Sequence, residues 1–159
     1  MTDKTKPINE ACGEVLGEKG QHRLTVSVGQ SSDRGVKEEN EDCMGVQQAD
    51  AEDLSTKGIV AIVADGVSAA SGGKIAAETC VRGFLGDYLS TPDSWSIMTS
   101  AQRVLDGLNK WLYSQGRAQG LKDEKGYLST MSMVILCSRM AHLFNIGDTR
   151  MTPMRAVGS

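Results

Sequence analysis

Three acidic stations stand out in this 159-residue chain. Asn40-Glu41-Asp42 opens a short alternating stretch, Asp65-Gly66 ends the most apolar stretch, and Gly147-Asp148 ends another. A carboxylate at the mouth of a buried strand costs desolvation unless something positive compensates it. Three such stations at one sheet edge would repel one another. Magnesium or manganese ions relieve that repulsion, because hard cations take oxygen ligands. Glycine beside Asp65 and Asp148 also lets backbone approach closely. The competing reading is a turn: Asp-Gly is a common turn, and Asn-Glu-Asp suits a solvated loop. Spacing alone leaves both readings open.

Other chemistries find less support. His22 and His142 are the only imidazoles, and His142 reads as a packing or surface residue of a strand. Cys12, Cys43, Cys80 and Cys137 match no zinc or redox spacing. They read as free thiols in a reducing cytoplasm. A formal net charge of −3 argues against a nucleic-acid binder working through a general basic field. Aromatics at 4% are too few for base-stacking platforms. No apolar leader or membrane-length apolar window is visible, so no membrane segment is expected and the expected location is cytoplasmic.

The elements that must position the acids follow from periodicity. Residues 1–21 are polar and unpatterned and read as a flexible N-terminal arm; residues 22–159 read as one domain. In 22–30, Leu24, Val26 and Val28 alternate with polar residues and predict a half-buried strand. A second short strand is expected over 41–48. The run 58–64 (GIVAIVA) predicts a strand buried on both faces. Residues 73–89 predict a helix with Ala77, Cys80, Val81, Phe84, Leu85 and Tyr88 on one face. Thr91-Pro92-Asp93 suggests the cap and first turn of a second helix, which continues to about Tyr113. Residues 129–139 and 141–146 predict a hairpin turning at Arg139-Met140, and the last residues could begin another strand. Runs of strands, then helices, then strands favour an α+β fold.

Read together, SDRGVKEENED, VADGVSAASGGKIAAE and LSTMSMVILCSRMAHLFNIGDTR resemble the opening motifs of the metal-dependent protein phosphatases, the PPM family of Ser/Thr phosphatases. The bacterial form carries a basic residue before Asn-Glu-Asp, an Asp-Gly after an apolar strand, a Thr-rich strand and a Gly-Asp-Ser-Arg turn. All four occur here in order. The stretch GFLGDYLSTPDSWSIMTSAQRVLDGLNKWLYSQ is similar to the phosphatase domain fused to a protein kinase in some bacteria. The resemblance covers about residues 22–155.

It implies a four-layer α-β-β-α sandwich, C-terminally truncated. It implies Asp65 as a carboxylate bridging two magnesium or manganese ions and the Gly66 carbonyl as a further ligand. Glu41 and Asp42 would hold the ions mostly through water, with Asp148 near a third, weaker ion. Lys37, five residues before Asp42, stands where most members carry a phosphate-gripping arginine. Lysine meets phosphate as a point charge and not as a bidentate fork.

The implied reaction hydrolyses phosphoserine or phosphothreonine esters. Two ions about 3.5–4 Å apart activate a shared water for in-line attack. The implied partners are a phosphoprotein substrate and a cognate Ser/Thr kinase. The family's two later aspartates are not in this sequence, so impaired turnover is expected. A non-catalytic pseudophosphatase or phosphoprotein-binding module is the alternative, and a remnant without ligand a third.

Smaller assignments complete the reading. Ser68, Ser71, Gly72 and Gly73 could bind an anion at a helix N-terminus or simply cap it. Met131, Met133 and Met140 read as core filler. Thr130 reads as support for the centre, and Arg150 as the partner of a nearby carboxylate.

Overall fold

The computed structural model describes residues 25–67, 72–121 and 126–154. Two helices lie between the second and third of four strands. In chain order these are β1 (Asp42–Gln48), β2 (Ile59–Asp65), α1 (Gly73–Leu89), α2 (Ile97–Ala118), β3 (Met131–Cys137) and β4 (Met140–Ile146). The strands form one antiparallel sheet in the order β1-β2-β3-β4. The fold is therefore α+β, with one sheet and one helical layer of the expected sandwich.

Strand alternation decides which side chains meet the helices. Val60, Ile62 and Ala64 of β2 share a face with Met131, Met133 and Ile135 of β3. They pack against Ala77, Cys80, Val81, Phe84 and Tyr88 of α1 and Val104, Leu108 and Leu112 of α2. The Phe84 and Tyr88 rings stack at 5.5 Å between centroids. The helix-free face carries Met44, Val46, Ala61, Val63 and Val134. It lines an open groove of about 360 Å³ with 28–31 and 149–151 along its rim. Val63 is 41% exposed there. β2 is thus fully buried on its helix-facing side only; on the other side Ile59 is buried, Ala61 half-buried, and Val63 and Asp65 exposed, because helices cover one side of the sheet. β1 and β4 are the edge strands of this sheet among the described residues, and Val46, Val63 and Leu143 remain exposed.

Several local expectations need correction. Residues 25–30 form no strand, and 22–24 lie outside the described residues. Val26 and Val28 alternate, but β1 ends the sheet without pairing to them. The cap of α2 is Ser96, whose side chain accepts from the Thr99 N–H. The helix runs on to Ala118, past Tyr113. The hairpin turns at Ser138-Arg139, since Cys137 pairs with Met140, and Ser138 takes a positive φ of 55°. Met140 is 64% exposed on the edge strand and is not core, unlike Met131 and Met133. Residues 151–154 form no strand, and 155–159 lie outside the described residues.

Thr91 does not cap α2 because a distant side chain recruits it. Lys57, 2% exposed, donates to Thr91 Oγ1 at 2.7 Å and to the Pro92 carbonyl at 3.1 Å. Asp93 lies 3.9 Å from the same ammonium, and the Tyr88 hydroxyl donates to the Lys57 carbonyl at 3.1 Å. This network ties the β1–β2 loop to the α1–α2 turn. Lys57→Ala is expected to cost about 3 kcal/mol, through lost packing and charge-assisted hydrogen bonds. Lys57→Met keeps the stem and is expected to cost about 1 kcal/mol. Urea unfolding of both variants checks the order.

Candidate metal centre

The sheet's register builds the site. Asp42, the first residue of β1, lies directly opposite Asp65, the last residue of β2. The Glu41 carbonyl accepts from the Gly66 N–H at 3.1 Å and closes that end of the ladder. The two aspartates therefore leave the same face of the sheet, at the end beside the groove. Asn40 shapes the approach: its side-chain oxygen accepts from the Asp42 N–H at 3.0 Å, and its amide donates to Ser32 Oγ at 2.8 Å. Ser32 in turn reaches Asp42 Oδ2 at 3.5 Å.

The third acid arrives through β4. Gly147 follows that strand with a φ of +90°, a conformation that favours glycine. Its turn packs on Thr130; a β-carbon at Gly147 would lie 2.8 Å from Thr130 Cγ2. Thr130 Oγ1 hydrogen-bonds Thr149 Oγ1, immediately after Asp148. The Asp65 carbonyl accepts from the Thr130 N–H at 2.8 Å, Ser129 Oγ at 3.1 Å and Thr130 Oγ1 at 3.4 Å. The end of β2 and the turn after β4 are thus fastened to the same residue at the start of β3.

Electrostatics register the convergence. Asp65 is exposed, yet its carboxyl is held above the usual carboxylate range. Partial desolvation is the first cause and the Asp42 carboxylate the second. Lys37 pulls the other way, and Asp148 adds to the upward push. The structure therefore brings Asp42, Asp65, Asp148 and Lys37 into one field. Among the described residues, no three His, Cys, Asp or Glu side chains close on one point as a metal-binding group.

The remaining expected residues divide. Glu41 is half-buried and reaches the start of α1; a β-carbon at Gly73 would lie 2.7 Å from its Oε1. A helix N-terminus favours a carboxylate there. Lys37 Nζ lies 3.9 Å from Glu41 Oε2, and Lys74 pairs with Glu39 at 2.7 Å. Gly72 caps α1 without a side-chain hydrogen bond, while Ser68 and Ser71 lie outside the described residues. Arg150 makes no ion pair with a described residue and lines the groove instead, contrary to expectation. His142 lies half-buried in β4, paired with Ile135.

Burial pushes the Cys80 thiol up to about 11 and also raises Cys43, so neither is a ready nucleophile. Ser32, Ser129 and Thr149 carry no local sequence signal for the site. Their roles depend on partners 10, 64 and 19 residues away, respectively.

The family model described as Protein phosphatase 2C matches residues 30–158. That span contains all three acidic stations and most of the chain. The chain belongs to the protein phosphatase 2C family. A solved structure described as PppA, a key regulatory component of T6SS in Pseudomonas aeruginosa, shares the fold at 18% identity and a TM-score of 0.50. The match covers 71% of this chain and 44% of that one, so the chain spans less than half of that neighbour. No curated protein sequence matches this chain. No helix among the described residues is long and apolar enough to cross a membrane.

Proposed function

We propose that the acidic end of this sheet is the divalent-cation site of a phosphatase domain acting on phosphoserine or phosphothreonine in proteins. The observation that carries the reading is the Asp42–Asp65 register pair. Like charges directly opposite one another destabilise a ladder. A fold that keeps this pair, with Asp148 in the same field, fits a resident cation.

The donor set also fits. It is all oxygen, which suits magnesium or manganese. Magnesium keeps several waters and is commonly held by only one or two carboxylates plus substrate phosphate.

In this reading Asp65 and the Gly66 carbonyl would hold the ions directly. Asp42 and Glu41 would hold the ions mostly through water, and Asp148 would serve a third, weaker ion. A cation bound there lowers the pKa of water and offsets phosphoryl charge. Lys37 offers its ammonium to a phosphate oxygen as a point charge. Thiols at Cys43, Cys80 and Cys137 support a cytoplasmic setting. A regulatory phosphoprotein, paired with a Ser/Thr kinase, is the proposed partner class.

Calorimetric titration of the 159-residue chain with manganese tests the reading. The expected result is binding that EDTA reverses, with hydrolysis of p-nitrophenyl phosphate slow. An absence of manganese binding would overturn the reading and favour a non-catalytic module.

A further inference from the structure

We infer that Thr130 is a positioning residue that locks Asp148 to Asp65 through a hydroxyl relay. The inference rests on the cation-site reading above. Thr130 is half-buried immediately before β3, between the end of β2 and the turn after β4, two strands that do not pair with each other among the described residues. Its Oγ1 faces two partners: the Asp65 carbonyl at 3.4 Å and Thr149 Oγ1. A hydroxyl carries one proton and accepts more than one hydrogen bond. With Thr130 donating to the Asp65 carbonyl, Thr149 donates to Thr130. The chain of bonds then runs from the residue after Asp148 to the backbone of Asp65 itself.

Shape reinforces it. The Gly147 turn lies against the Thr130 methyl and β-carbon, so methyl and hydroxyl hold the same turn from two sides. Both aspartates are exposed, and neither is fixed by burial. Their separation therefore depends on backbone tethers, and Thr130 is a tether shared by both. Groups that orient ligands behind a metal site typically change affinity about 10–100-fold when removed.

Manganese titrations of the full chain separate hydroxyl from shape. Thr130→Val keeps the branched outline and is expected to weaken manganese binding about tenfold. Thr130→Ser keeps the hydroxyl and is expected to stay within about threefold of the wild type. Thr149→Val removes the same relay from the other side and should match Thr130→Val, and the double variant should be no weaker than either single. Titrations run well below each thermal midpoint, with circular dichroism confirming the fold, so lost stability alone leaves affinity unmoved. Wild-type affinity in both valine variants would overturn the inference, as would a serine variant as weak as the valine. If Asp65→Asn binds manganese like the wild type, or the wild type binds none, the cation site itself falls and the inference with it.

Discussion

Asp65→Asn is expected to make the cation-free chain more stable at neutral pH and to erase its response to manganese. The reason lies in the sign of the proton linkage. The folded state holds the Asp65 proton more tightly than an unfolded chain would, because desolvation and then Asp42 disfavour its charge. Such a group adds stability below the usual carboxylate range and loses it as pH rises through its raised value. At neutral pH its charge is a liability of the folded chain. Asparagine keeps the shape and removes that charge, so the variant should melt higher than the wild type in EDTA. The gap should narrow on acidification, as Asp65 of the wild type takes up its proton.

Manganese should reverse the order. At a free concentration about 100 times its Kd, a ligand bound only by the folded state adds about 2.7 kcal/mol. The wild type should show that gain and Asp65→Asn should show almost none. Thermal melts of both proteins in EDTA and in manganese, each at neutral and acid pH, supply the four wild-type-to-variant differences. A wild type that melts higher than Asp65→Asn in EDTA at neutral pH would contradict the electrostatic account.

What was readable beforehand was what local pattern encodes. The helix over 73–89 has the predicted bounds, because its apolar positions recur at helical spacing without a competing signal. Two of the acidic stations are visible because each sits where an apolar run stops, and the third because it opens an alternating stretch. Their meeting was not written in any one segment; it comes from the pairing of Asp42 with Asp65 and from the Gly147 turn packing on Thr130. Thr91 and Ser96 both carry cap chemistry, and a buried lysine 34 residues before Thr91 decides between them. The alternation of Val26 and Val28 had the period of a strand, but a strand also needs a neighbour to bond, which periodicity cannot supply. The four-layer expectation came from resemblance; the described residues form a sheet and the helical layer on one side of it.

Gly66→Ala should be among the most disruptive single substitutions in the chain. Gly66 is buried between β2 and the first turn of α1. A β-carbon there would fall on the carbonyl group of Gly73, the residue that begins the helix. That obstacle is backbone, so no side-chain rotation relieves it. Gly66 cannot withdraw either, since its N–H is bonded to the Glu41 carbonyl and it bridges to Ser129. Overpacking of this kind costs about 3 kcal/mol or more when backbone must move. Gly86, on an open stretch of the same helix, is the control: nothing lies near its β-carbon position. Gly86→Ala should stabilise by up to about 1 kcal/mol through helix propensity. The position of Gly66 also couples stability to function, because shifting α1 to admit a methyl group moves Gly73, Glu41 and the end of the Asp42–Asp65 ladder together. Gly66→Ala should therefore lose manganese affinity even where enough folded protein remains to titrate. Wild-type stability in urea for this variant would mean that α1 does not begin where the site requires it.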